Sequence, residues 1–162
     1  MRRHLSLMML GLLSMLLLGL YLSASLAIPP VIEAEVEIRP QVFNLRRNGT
    51  GVHGVITAFI SNLEDAGLSY DVKDINISTI MLYHETTSVA SALCAKAAKG
   101  KLIAKFDATT VANQIMFKLW HLGIAPPTPP SGYPMEFTIK GELTTGEKFA
   151  GTDTIKIIFP ST

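Results

Sequence analysis

Cysteine is almost absent from the sequence: Cys94 is the single one among 162 residues, so the chain has no internal disulfide. A domain without disulfides depends on its hydrophobic core, which the roughly 130 residues after the apolar N-terminal segment (residues 1–27) are enough to form. Cys94 lies in an alanine-rich stretch, where a cysteine usually packs as a small hydrophobe. We therefore expect Cys94 to be buried, with a reactive or intermolecular thiol as the alternative.

The sequence also lacks an excess of charge of one sign. It has 14 basic and 13 acidic residues, and no run of charged residues is longer than two. Arg2 and Arg3 belong to the N-terminal segment, so 12 basic and 13 acidic residues remain in the rest of the chain. A nucleic-acid-binding surface needs clustered lysine and arginine. We expect no nucleic-acid partner.

The motifs of metal sites and of common enzymes are missing. His53, His84 and His121 lie far apart, in a predicted turn, strand end and helix end, and no HxH, HxxxH or CxxC spacing occurs. No G-x-G-x-x-G, P-loop or G-x-S-x-G pattern is present. We expect no metal, no cofactor and no catalytic residue, and we interpret the protein as a non-enzyme.

The carboxylates do not form a site in the sequence. Asp71 and Asp74 are the closest pair, with Glu64 and Asp65 upstream, but a calcium loop needs acids at alternate positions together with a glycine. Asp107 stands where a helix begins, so the pattern predicts a structural N-cap there and not a catalytic acid.

Long apolar character is confined to the N-terminus. Arg2 and Arg3 precede an apolar run from Leu5 to Leu22, and small residues follow, ending at Ala27. This is the pattern of a secretory signal peptide cleaved after Ala27. The run approaches the about 20 residues that span a bilayer, so an uncleaved anchor helix is the alternative. Both interpretations deliver the remaining chain to the extracellular side or the cell surface, with membrane contact only through an uncleaved segment.

Two sequons agree with export. Asn48 is followed by Gly-Thr and Asn76 by Ile-Ser, and both match the N-glycosylation tripeptide. Asn48 lies in a predicted turn and is the better candidate, since glycan addition favours surface loops.

The rest of the chain reads mainly as short strands. Alternating or apolar runs predict strands at residues 34–39, 42–45, 55–60, 78–84, 101–106 and, as an antiparallel pair, within 135–159. Residues 61–69 indicate a loop, and residues 85–100 are compatible with either a short helix or a loop. Residues 126–132 are rich in proline and predict a rigid surface connection.

One amphipathic helix is predicted after Asp107. Val111, Ile115 and Leu119 follow at helical spacing, and Gly123 suits the position that ends a helix. Its larger residues, Met116, Phe117 and Trp120, are expected in the core, with an exposed patch for a partner as the less favoured interpretation.

These elements predict a mainly β fold: an antiparallel, immunoglobulin-like β-sandwich of about seven strands with one crossover helix, preceded by the signal or anchor helix. We divide the chain into residues 1–27 as the signal or anchor, 28–33 as an extended lead-in, and 34–162 as a single domain.

Three blocks of sequence resemble a β-sandwich module of archaeal and bacterial secreted and cell-surface proteins. The blocks are VEIRP through FNL followed by YDVKDINIST, then LIAKFD, and finally GELTTG through FAGTDTI. The resemblance implies an extracellular module without catalytic apparatus, acting as a spacer or a binding unit. Members of that family often carry an acidic, potentially calcium-binding segment where this chain has residues 86–100, which contain no acid. We expect no calcium site.

Three functions remain open. The first is a structural or adhesive role at the cell envelope. The second is binding of a carbohydrate or other ligand, which an exposed platform of Tyr70, Tyr83 and Tyr133 would favour. The third is a filament subunit that donates the strand carrying Val36 and Ile38 to a neighbour. The partner is thus expected to be a protein or a glycan at the cell surface.

Overall fold

The computed structural model describes residues 30–45, 54–121 and 132–159, and these form a mainly β structure with one α-helix. Ten strands occur: β1 (Val31–Arg39), β2 (Val42–Asn44), β3 (Val55–Asp65), β4 (Leu68–Tyr70), β5 (Met81–His84), β6 (Thr87–Ser91), β7 (Cys94–Ala98), β8 (Lys101–Asp107), β9 (Tyr133–Glu142) and β10 (Lys148–Ile158). The helix, α1, spans Ala108–His121, and two 3₁₀ turns lie at Val72–Asp74 and Ile77–Thr79.

The strands form one mixed sheet in the order β6-β5-β9-β10-β1-β3-β8-β7, with β2 paired to β10 and β4 to β3. Most pairs are antiparallel, but β10 runs parallel to β1 and β2, which differs from the predicted all-antiparallel pairing. Parallel neighbours need a long connection, and β1 and β10 have it because they come from opposite ends of the domain.

The sheet is curled. β6 and β7 lie at opposite edges of the strand order, yet only Ala92 and Leu93 connect them. The N–H of Ala92 donates to the carbonyl oxygen of Ile80 (3.0 Å) beside β5, and that of Leu93 donates to Lys105 (2.7 Å) in β8. Two residues can join both edges only if the edges lie close together, so one face of the sheet is enclosed.

The enclosed face holds a single hydrophobic core. Alternation along the strands fills it as the sequence predicts: Val36 and Ile38 of β1 are buried, as are Leu102 and Phe106 of β8. The final strand pair is an antiparallel hairpin running from the pairing of Tyr133 with Ile157 to that of Glu142 with Lys148.

Helix α1 packs against β6 and β8. It starts directly after β8, and near its other end Lys118 contacts Glu85 in the turn between β5 and β6. The helix therefore crosses from one part of the sheet to another. Its inner face buries Val111, Ala112 and Ile115.

Several predictions need correction. Residues 61–69 are not a loop, because β3 continues to Asp65 and a tight turn at Ala66 and Gly67 leads into β4. Residues 85–100 are neither a helix nor a loop; they contain β6 and β7, whose alanines and serines suit closely packed sheet edges. Cys94 is exposed, because β7 is an edge strand and places this side chain outside the core.

Within the described ranges no helix is long and apolar enough to cross a membrane. The predicted cleavage site at Ala27, the sequon at Asn48, His53, Gly123 and most of the proline-rich connection lie outside the described residues.

Candidate binding surface at the end of helix α1

A groove runs between the C-terminal half of α1 and the start of β9. We call it the helix groove, and its cavity volume is about 310 Å³. Its walls are largely apolar, and its lining residues are His84, Glu85, Ile115, Lys118, Leu119, Tyr133, Pro134, Met135, Glu136 and Phe159. This volume falls at the lower end of the range of about 300–1,000 Å³ that is usual for ligand pockets.

His84 supplies the polar centre of the groove. Its Nδ1 lies 2.9 Å from the carbonyl oxygen of Glu136. A carbonyl can only accept, so Nδ1 carries the proton, and in the neutral ring Nε2 presents a lone pair. Nε2 is 3.9 Å from Oε1 of Glu85, which is beyond hydrogen-bonding distance. His84 therefore offers a hydrogen-bond acceptor in a side chain that is only 16% exposed.

An ion pair bridges the groove. Nζ of Lys118 donates to Oε2 of Glu85 at 2.6 Å, and this hydrogen bond is the main reason why the pKa of Glu85 lies below its ordinary value. Lys118, His84 and Ile115 also line a second groove of about 280 Å³ on the other side, together with Phe117. Lys118 thus lines both grooves and Glu85 lines the helix groove, and their two charges neutralise each other.

Three aromatic side chains, two on α1 and one at the start of β9, face solvent. Trp120 is 84% exposed, Phe117 56% and Tyr133 50%. We call these three residues the aromatic surface. The prediction that the helical aromatics belong to the core is therefore wrong for Phe117 and Trp120, whereas Met116 does pack against the core.

Helical spacing contains the signal that would have located these residues. At about 100° per residue, Trp120 lies on the opposite side of α1 from Val111, and Phe117 lies nearly opposite Ile115. Since Val111 and Ile115 already form the apolar face of the helix, the same spacing directs both aromatic rings outward. The edge of the Phe117 ring contacts His121 with a centroid separation of 4.3 Å.

The three tyrosines do not form one platform. Tyr133 lines the helix groove, whereas Tyr83 lies in a separate depression near Lys140, whose Nζ is 4.8 Å from the Tyr83 ring centroid. Tyr70 packs partly against the core in β4. This dispersion weakens the case for sugar stacking on these side chains.

The candidate donor strand is used within its own chain. β1 pairs with β3 on one side and with β10 on the other, and Val36 and Ile38 point into the core. A strand that is held on both sides is a poor donor to a neighbour, so the arrangement weakens the filament hypothesis.

The remaining predicted residues lie in local structure. Oδ1 of Asp107 accepts from the N–H (2.6 Å) and the hydroxyl (2.9 Å) of Thr110, which is N-cap geometry. Oδ1 of Asn76 accepts from the N–H (3.3 Å) and hydroxyl (2.7 Å) of Ser78 in the second 3₁₀ turn. Asn76 is half-buried, and its side-chain oxygen is already hydrogen-bonded within this turn.

The arrangement is suited to binding. Among residues 30–45, 54–121 and 132–159, no group of three or more histidine, cysteine, aspartate or glutamate side chains could hold a metal ion. The helix groove combines apolar walls with an acceptor at His84 and a neutralised ion pair. The sequence matches no protein-family model and no curated protein.

Proposed function

We propose that this protein is a non-enzymatic adhesion or structural protein, exported to the outside of the cell, that makes its contacts through the aromatic surface. The observation that carries the proposal is the exposure of Trp120 together with that of Phe117, one turn earlier on α1. In this proposal the curled sheet is an immunoglobulin-like β-sandwich, and the segment from Leu5 to Leu22 directs export or anchors the domain.

An aromatic side chain that stays exposed gives up the stabilisation that its burial would provide. Burying an aromatic side chain removes about 150–250 Å² from water, so leaving Phe117 and Trp120 outside forgoes a large hydrophobic gain. Monomeric proteins seldom expose such neighbouring apolar residues except at interaction sites, and tryptophan and tyrosine are enriched in the energetic centres of interfaces. The aromatic surface therefore favours a contact role.

The direction of the aromatic surface also supports this role. Val31 pairs with Lys148 at the start of β10, and Tyr133 pairs with Ile157 near its end. The nine residue steps from Lys148 to Ile157 correspond to about 30 Å at about 3.3 Å per residue. The chain thus enters β1 at the opposite end of β10 from Tyr133. An anchor in the N-terminal segment would therefore join the domain at the end of β10 that is remote from Tyr133.

The test of the proposal has two parts. First, a phosphatase that is active only outside the cytoplasm is fused after the full chain, and we expect activity; deleting Leu5 to Leu22 should abolish it. Second, we expect the Phe117→Ala/Trp120→Ala double variant to lose binding to isolated cell envelopes.

The matched control is Leu68→Ala, which removes another exposed apolar side chain (63% exposed) in the β3–β4 hairpin. Unchanged envelope binding by the double variant, or equal losses in both variants, would refute the proposed use of the aromatic surface.

A second candidate function is binding of a small amphipathic ligand in the helix groove, which its volume and the acceptor at His84 favour. Such a ligand would place an apolar body against Ile115 and Met135 and donate a hydrogen bond to His84. Calorimetry with the purified protein and its Trp120→Ala variant distinguishes the two candidate functions. A small ligand that enters the helix groove should bind the parent and the variant alike, because Trp120 does not line the groove.

A further inference from the structure

We propose that the occupant of the helix groove is the Trp120 side chain of a second copy of this chain, so that two copies join through their aromatic surfaces. The inference rests on the proposed function, since it names the partner of the same surface. It follows from four properties of Trp120 and the groove: their hydrogen-bonding groups, their charges, their size and apolar character, and their positions on the molecule.

The polar groups are complementary. The indole of tryptophan has one N–H donor and no acceptor. The groove offers acceptors: Nε2 of His84, whose other nitrogen donates to Glu136, and the exposed carboxylate of Glu136, which has no partner among the described residues. One donor on an apolar body therefore meets an apolar cleft with an acceptor in its wall, and no buried polar atom is left unpaired.

The charges permit this occupant. The ammonium of Lys118 is already paired with Glu85 at 2.6 Å, so an uncharged indole could pack beside the pair without having to neutralise either ion. A strongly anionic or cationic partner would compete with that ion pair.

The size of the cleft also fits. The walls contributed by Ile115, Leu119, Met135 and Phe159 are apolar, and a cavity of about 310 Å³ is near the lower limit for a binding pocket, where a single large side chain is a suitable guest. A tryptophan that is 84% exposed in the single chain has most of its surface available for burial.

The protruding side chain and the cleft share the last turn of α1. Trp120 follows Leu119, which lines the groove, and at about 100° per residue its side chain lies further round the helix, towards solvent. A two-fold axis between them lets each copy insert its Trp120 into the groove of the other. Such an interface is closed, so it produces dimers and not open-ended chains.

The test measures self-association of the full chain as an exporting host delivers it, by sedimentation over a range of concentrations. We expect a monomer–dimer equilibrium. Trp120→Ala should weaken dimerisation by about 30-fold or more, the effect of losing a central interface tryptophan. Trp120→Phe, which keeps the ring but loses the N–H, should weaken it by about fivefold.

The matched control Leu68→Ala should dimerise like the parent, which separates this interface from general hydrophobic association. The contact itself is mapped by placing a photoreactive benzophenone amino acid at position 120 and mixing isotope-labelled with unlabelled chains. We expect cross-links between copies at residues 133–136 or at Phe159.

Failure of this inference is distinguishable from failure of the proposed function. A chain that stays monomeric up to millimolar concentration, a dimer insensitive to Trp120→Ala, or cross-links elsewhere would overturn the second-copy occupant. If the Phe117→Ala/Trp120→Ala variant still loses envelope binding in that case, the surface has a different partner and the proposed function stands.

Discussion

At the level of single residues, the close approach of β1 to β10 depends on Gly151 and Asp153. Gly151 lies directly under the backbone of Ala34, and two residues later Oδ2 of Asp153 accepts from the N–H of Ile38 (2.7 Å) and from Nε2 of Gln41 (2.9 Å). Regular pairing of β1 with β10 stops after Glu33, so the carboxylate supplies the partner that the strand no longer provides.

Gly151→Ala should destabilise the protein by about 1–3 kcal/mol, the usual cost of overpacking a tight site. An added Cβ would collide with the carbonyl oxygen of Ala34 and lie 2.5 Å from Cγ2 of Val36. Urea unfolding followed by circular dichroism measures the change.

Thr152→Ala is the control, because it alters an exposed side chain at the next position of β10 and should change the free energy of unfolding by less than about 0.5 kcal/mol. Equal stability of Gly151→Ala and the parent would mean that β1 does not approach β10 as closely as described.

The segment from Gly151 to Thr154 has a structural neighbour that its own sequence does not predict. Its polar residues suggest the entry to a strand, but it forms the middle of β10, and the requirement for glycine comes from a strand more than a hundred residues earlier. Alternation identifies which residues of β10 face the core. It contains no information on which strand lies beside it, so the parallel neighbour β1 was not predictable.

At the level of elements, the start of α1 is stabilised by Asp107, an N-cap whose side chain can be protonated. The N–H of Thr110 donates to Asp107 and holds the pKa of that carboxyl below its ordinary value of 3.8. The folded-state pKa is therefore lower than the unfolded one. The resulting stabilisation is fully present above the unfolded pKa and is lost as the pH falls through the folded pKa.

Asp107→Asn keeps a capping oxygen but removes this titration. We expect the parent to be more stable than Asp107→Asn at neutral pH, and the difference to shrink towards zero as the pH falls below 3.8. Urea midpoints across this pH range measure it. The carboxyls of Asp71, Glu85 and Glu147, whose pKa values are also lowered, titrate in both proteins and cancel in the difference. A difference that is constant with pH would contradict the cap.

Truncating a side chain to alanine should cost much more stability on the inner face of α1 than on its outer face. Ile115 is 2% exposed, so Ile115→Ala should cost about 2–5 kcal/mol. Trp120→Ala removes a larger side chain from the outer face and should change the free energy of unfolding by less than about 0.5 kcal/mol when measured on the monomer. Chemical denaturation at low protein concentration gives both values. A large loss of stability for Trp120→Ala would mean that this side chain is buried in the core.

The elements show unequal predictability for a physical reason. β1, β3, β8, the final hairpin and the start of α1 carry regular apolar periodicity or a cap, and they could be located from sequence. β6 and β7 are short edge strands made mostly of small residues, and Val89 is their one larger aliphatic side chain, so no apolar periodicity marks them. The exposure of Phe117 and Trp120 was predictable from helical spacing, but the helix groove was not, because β9 and α1 meet only in the folded chain.

At the level of the whole molecule, closure of the sheet depends on the two-residue connection between β6 and β7. Because this connection is so short, the N–H groups of Ala92 and Leu93 can bond to Ile80 beside one edge and to Lys105 beside the other. These two hydrogen bonds hold the edges together.

Inserting Gly-Ser-Gly-Ser between Ala92 and Leu93 should destabilise the protein by about 1–3 kcal/mol, the worth of two backbone hydrogen bonds. The same insertion between Ala66 and Gly67, in the exposed β3–β4 turn, should cost well under about 1 kcal/mol, because lengthening a surface loop adds little closure entropy. Urea unfolding of both insertions against the parent decides the matter: equal effects would mean that the edges stay together without the short connection, and that the core and α1 alone keep the sheet curled.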